Sequence, residues 1–130
     1  MPGRAEDKST AENNGTLYHL DAKKPALVQP IEAADRAQDS KFVQVEVVEV
    51  KNPKNLAATF KVEYQGKDQE KVFLGTFSLY PSDNPGKFIV ATQGKLRNEG
   101  AVVLTLVIPD EFKSGDVFSL AVKRMKFLSN

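Results

Sequence analysis

Residues 55–80, NLAATFKVEYQGKDQEKVFLGTFSLY, limit what this chain can fold into more than any other stretch. Leu56, Ala58, Phe60, Val62 and Tyr64 are apolar, while Thr59, Lys61 and Glu63 between them are polar. Successive residues of a strand point to opposite faces, so a period of two makes a strand with one buried and one wet face. A polar loop at 65–69 containing one glycine leads into a second apolar run, and the two runs predict a β-hairpin. In the second run Phe73, Phe77 and Leu79 lie on one face and Val72 and Leu74 on the other. A strand that is apolar on both faces near its start is expected at a central position or under a covering neighbour.

The rest of the chain repeats this grammar. Residues 1–16 hold few apolar side chains and read as a flexible arm, because they bury too little to offset the entropy of ordering. Asn14-Gly15-Thr16 in that arm matches an N-glycosylation acceptor, a pattern that arises readily by chance in such segments. Residues 17–20 predict a short edge strand, and 23–30, with two prolines, an extended connection. Residues 31–38 are the one helix-like stretch, one or two turns at most. From Phe42 onward, Val43, Val45 and Val47 share one phase and Val48 and Val50 the other, which predicts a bulge or a crossing between sheets. Turns at 52–55 and 81–86 frame the hairpin, and a short strand at 87–92 precedes a polar loop at 93–100. Val102, Leu104, Leu106 and Ile108 then alternate with Val103, Thr105 and Val107. After a polar connection with Phe112 turned inward, Phe118, Leu120 and Val122 share a face, and Met125 and Phe127 take the other. The pattern predicts an all-β, antiparallel β-sandwich of about six to eight strands with at most one short helix, spanning residues 17–130; a closed β-barrel is the alternative. No helix of crossover length separates the strands, which argues against a parallel α/β fold.

Composition removes several classes of function. The 18 Lys and Arg against 17 Asp and Glu leave a net charge of +1, without the concentrated basic face that nucleic-acid binding needs. Absence of cysteine rules out a disulfide framework, thiolate metal sites and a cysteine nucleophile. The longest apolar run, 101–108, is far shorter than the ~20 residues of a membrane-spanning helix. The polar N-terminus has no apolar core of a secretory signal, as expected of a chain kept in the cytoplasm or one already processed.

No catalytic or ligand motif stands out. His19 is the single histidine, too few for a zinc or copper site, and no Gly-x-Ser-x-Gly elbow exists to form a triad with His19 and Asp21. Asp110, Glu111 and Asp116 lack the Asp-x-Asp spacing of a calcium loop and read as a solvated connection. Gly86-Lys87 and Gly94-Lys95 lack the flanking residues of a phosphate loop. No cofactor or metal is expected. Lys123, Arg124 and Lys126 read first as charges protecting a strand edge, and second as a weak anion or partner contact. Of the aromatics, Phe60, Phe73, Phe77, Phe88 and Phe118 sit at inward phases. Tyr18, Tyr64 and Tyr80, if exposed together, would make a carbohydrate or protein contact.

The run Ala58-Thr59-Phe60-Lys61-Val62-Glu63-Tyr64 resembles the Phe-Asp-Val-Tyr signature of the β-sandwich domain that follows the copper domain in polyphenol oxidases and tyrosinases. VFLGTFSL at 72–79 and AVVLTLVIP at 101–109 resemble two further strands of that domain, so the similarity runs over about 42–127. Lys61 stands where the family usually has Asp, Glu63 adds a charge, and the copper-binding histidine helices have no counterpart here. In that family the sandwich packs on the catalytic domain and shields its entrance. The resemblance therefore implies a non-catalytic accessory module with a protein partner, in the first instance a copper oxidase domain. An independent carbohydrate- or protein-binding module is the alternative. The residues expected at a partner contact are Tyr64, Tyr80, Lys123, Arg124 and Lys126.

Overall fold

The computed structural model describes residues 16–130. The expected arm, apart from Thr16, and the Asn14 acceptor lie outside the described residues. Among the described residues nine strands run in the order β1 (Leu17–Asp21), β2 (Ala26–Pro30), β3 (Phe42–Lys51), β4 (Thr59–Gln65), β5 (Lys71–Ser78), β6 (Gly86–Ala91), β7 (Ala101–Val107), β8 (Ser119–Lys123) and β9 (Lys126–Leu128). They form two antiparallel sheets. One has the order β1-β8-β3-β6, with β9 paired to the first residues of β3; the other has the order β2-β7-β4-β5. The architecture is an all-β antiparallel sandwich with open sheets, so the barrel alternative is set aside.

The core is the pair of facing apolar stripes. Val43, Val45, Val47, Leu20, Leu120 and Val122 come from the five-stranded sheet, and Phe60, Val62, Val102, Leu104 and Leu106 from the other, all but excluded from solvent. Phe60, Phe77 and Phe88 stack nearly parallel, with centroids 4.9 and 4.4 Å apart, joining β4 and β5 to β6 across the two sheets. Such rings bury large areas and add offset-stacking energy to that burial.

Several local expectations change. Residues 26–30, read as a connection, form a strand; it lies at the edge of its sheet, where a proline's missing donor is harmless. The helix-like stretch becomes two successive 3-10 turns, Ala33–Asp35 and Ala37–Asp39. The added strand at 26–30 and the separation of β9 from β8 bring the number among the described residues to nine, against the expected six to eight. β5 is an edge strand, not a central one. Its double apolar phase comes from a bulge: Val62 opposes Gly75 while Glu63 opposes Phe73, leaving Leu74 as the extra residue. The bulge turns Phe73 outward, against the inward position its phase with Phe77 implied. Ile89 also faces solvent, and Leu96 in the polar loop is buried. The flip at Val47-Val48 is a bulge as expected, falling between Val47 and Glu49 against β8.

The sheet margins are closed by side chains. At one edge the buried Gln29 amide donates to the Met125 carbonyl at 3.0 Å and accepts from the Met125 N–H at 2.8 Å, standing in for a strand pairing between the sheets. At the other, Gln93 Nε2 donates to the Leu74 carbonyl left over by the bulge, at 3.1 Å. Gly100 (φ +86) is required in its turn, since a Cβ there would run into the Gln65 carbonyl oxygen. Replacing Gln29 by Leu orphans the Met125 N–H and leaves the Met125 carbonyl with only the Arg124 Nη1 contact at 3.4 Å. The Gln29→Leu variant should lose about 1–3 kcal/mol for the orphaned N–H, read as a lower urea midpoint with an unchanged slope.

Candidate functional site

Two surfaces stand apart from a general solvated exterior. The first is the outer face of the four-stranded sheet. Register places Val28, Val103, Glu63 and Phe73 in one row across all four strands. Val28 and Phe73, at the two ends, are each 53% exposed, while Val103 between them is 1% exposed. Val107, on the same face, is also exposed. On β4 and β5 the remaining outward residues are polar: Thr59, Lys61, Gln65, Lys71, Thr76 and Ser78. Glu63 is the odd member of the row. Its side chain is 14% exposed, and among the described residues its one charged neighbour is Lys61 Nζ at 3.8 Å and no hydrogen-bond donor reaches its carboxylate.

The second surface is the end of the sandwich where the turns at 22–25, 52–58, 79–85 and 108–118 meet. Buried Asn52 ties this end together: its amide donates to the Leu56 carbonyl at 2.8 Å and the Ser82 carbonyl at 3.1 Å, and its oxygen accepts from the Leu56 N–H. Tyr80, followed by a cis peptide bond to Pro81, is 94% exposed on the turn so anchored. At the same end a cleft of about 610 Å³ opens between Asp21-Ala22-Lys23 and the 112–119 segment, with Phe112 and Phe118 among its walls. The two lining carboxylates are already engaged. Asp21 Oδ1 accepts from the Lys23 and Lys24 N–H groups, at 2.9 and 2.8 Å. Asp116 meets Lys54 Nζ at 2.7 Å and the Lys113 N–H at 2.8 Å. The Lys54 bond, followed by the Lys113 N–H, holds the Asp116 carboxyl below its ordinary value.

The predicted contact residues scatter. Tyr64 is buried, its hydroxyl donating to the Glu99 carbonyl at 3.0 Å, so it is removed from the partner-contact set. Arg124 is turned inward as a clamp: its guanidinium donates to Asp35 at 3.0 Å, with Glu32 at 3.9 Å, fastening the 3-10 turns to the β8–β9 corner. The Asp35 bond, chiefly, raises its pKa above the usual arginine value. Lys123 pairs with Glu46 at 3.7 Å, Lys126 stands exposed on β9, and neither lies near Tyr80. Tyr18 is half-buried on β1, so no tyrosine set is displayed together. His19 is exposed, across Ala121 from Glu49. Among the described residues no group of three or more His, Cys, Asp or Glu could hold a metal ion, and no helix is long and apolar enough to cross a membrane.

Sequence reasoning missed Val28, Val103 and Phe73 as a surface. The signal was present in β5, where Val72 and Leu74 are out of phase with Phe77 and Leu79; the rule applied to Val47-Val48 would have found this bulge too. Comparison with family models, with curated proteins and with solved structures finds no match.

The Asp116 shift carries a pH dependence. A carboxyl whose folded pKa is depressed stabilises the fold above its unfolded value of 3.8 and loses that contribution as pH falls through the folded one. The stability gap between wild type and Asp116→Asn, followed by urea unfolding at a series of pH values, should be widest near neutrality and close below about pH 4.

Proposed function

We propose that this chain is a non-catalytic β-sandwich module that packs against a partner protein domain through the outer face of the β2-β7-β4-β5 sheet. The observation that carries the reading is the placement of Val28 and Phe73, both half-exposed and apolar, on either side of the nearly dry Val103. Apolar side chains aligned across a regular sheet face are a common mark of protein contact surfaces. The bulge that aims Phe73 outward strengthens the reading, because bulges are used to re-aim particular side chains.

The partner class comes from the resemblance of residues 58–64, 72–79 and 101–109 to the sandwich that covers the copper domain in tyrosinase-type oxidases. On this reading the module contributes coverage and shape, and the chemistry belongs to the partner. Against a catalytic role of its own stand the engaged carboxylates Asp21 and Asp116 and the isolated His19.

A second reading, an independent carbohydrate- or protein-binding module, is favoured by the cleft of about 610 Å³ and the fully displayed Tyr80 at the loop end. The volume lies within the range of small-ligand sites, and exposed aromatics serve both kinds of contact.

One experiment separates the two. The chain is mixed with a tyrosinase-type copper oxidase domain lacking its own sandwich, and association is followed by size-exclusion chromatography together with diphenol turnover. A one-to-one complex with slowed turnover is expected; Val28→Lys and Phe73→Lys should abolish it while changing stability by less than about 0.5 kcal/mol. A complex that survives both substitutions but is lost in Tyr80→Ala moves the function to the loop end. Absence of any complex removes the oxidase as partner.

A further inference from the structure

The Val28-Val103-Glu63-Phe73 row carries a feature that an apolar contact does not explain. Glu63 is an acidic residue with a largely covered side chain in a line of hydrophobic ones. Lys61, its one charged neighbour among the described residues, sits two residues away on the same strand, and its ammonium lies beyond hydrogen-bonding distance at 3.8 Å. A carboxylate has room for several donors and loses much of its hydration when covered; one without a donor is costly unless a partner supplies it. Covering this face with a purely apolar partner would bury the charge further with only the Lys61 ion pair at 3.8 Å to compensate it.

We propose that the face receives an arginine of the partner protein, its guanidinium bonded to Glu63 and laid against the ring of Phe73. This rests on the docking reading above and names the chemistry of the surface that docks. Glu63 and Phe73 are directly opposed in the β4–β5 register, so their Cβ atoms stand about 5 Å apart on the same face. That spacing lets one planar guanidinium donate to a carboxylate in its own plane while an aromatic face lies against it. Lysine fits less well, because its ammonium is a strongly hydrated point charge without a fork to match the two oxygens. Val28 and Val103 lie on the other side of Glu63, so the partner's arginine is flanked by aliphatic side chains. The bulge at Leu74 is what makes the pairing possible. Without it, the phase of β5 would send Phe73 inward and leave Glu63 beside a different residue.

The test uses N-acetyl-arginine amide as the probe and the full chain, labelled with nitrogen-15, as the receptor. Saturable amide shifts centred on Val28, Glu63, Phe73 and Val103 are expected. N-acetyl-citrulline amide, which keeps the shape and loses the charge, should bind about tenfold more weakly, the weight of a charge-assisted hydrogen bond. Glu63→Gln should bring a comparable loss, and Phe73→Leu a smaller one, since it keeps the apolar body and removes the ring. Both variants should keep the wild-type spectrum outside the row, which shows that the fold is intact. Equal binding of the arginine and citrulline probes, or shifts spread over exposed carboxylates such as Asp110 and Glu111, would overturn the assignment. The docking reading fails separately: it falls if Val28→Lys and Phe73→Lys leave oxidase association intact, and this inference falls with it. If those substitutions abolish association while the arginine probe shows no preference, only the arginine assignment is lost.

Discussion

Two sheets share a dry interior only when the polar backbone at their margins finds partners, and here two glutamine side chains supply them. Gln29 meets both backbone groups of Met125, and Gln93 caps the carbonyl that the β5 bulge leaves over at Leu74. Between these margins the valine stripes and the Phe60–Phe77–Phe88 stack exclude water. A buried amide that failed to find its partner would cost as much as a core methylene or more. Arg124, reaching from the β8–β9 corner to Asp35, fastens the 3-10 turns over the same margin that Gln29 closes. The sandwich thus stays open as a sheet arrangement while these backbone groups at its seams keep partners.

The bulges are where this interior determines the exterior. A strand's faces exchange wherever an extra residue is inserted, so each bulge decides which side chains of its strand are sent outward. In β3 the exchange against β8 lets Val43, Val45 and Val47 serve the core before the strand turns past Glu49. In β5 it keeps Leu74 and Phe77 inside although they are an odd number of residues apart, and the outward position falls to Phe73. Gly75 belongs to the same device, since a Cβ there would come within 3.0 Å of Val90 on the facing sheet. The apolar row with its covered carboxylate is therefore a consequence of how β4 and β5 had to be registered over the core. The exposed row and the core beneath it are drawn from the same few residues.

The fold class was legible because its cause is local. Alternation at 56–64 and 102–108, turn residues at 52–55 and 81–86, and the flip at Val47-Val48 each state a strand, a turn or a bulge without reference to distant residues. The candidate surface was much less legible. Val28 sat in a stretch whose prolines argued against a central strand, and nothing local distinguishes an edge strand from a connection. Tyr64 was grouped with Tyr80 by residue type, although the alternation with Phe60 and Val62 already placed it inside. Arg124 looked like surface charge because its partner, Asp35, lies far away in the chain.

The sequence by itself determined that this chain builds antiparallel strands with one apolar face each, and where most of them begin and turn. Periodicity is a property of neighbouring residues, and burial of one face follows from it. Only the tertiary structure decided which strands stand side by side, and hence that Val28, Val103, Glu63 and Phe73 share a row. Residues on four strands drawn from positions 28 to 103 are brought into line by pairing register, which depends on every long-range contact in both sheets at once. The same holds for the exposure of Phe73: its phase with Phe77 pointed inward, and the register shift of β5 against β4 at Leu74 turned it out.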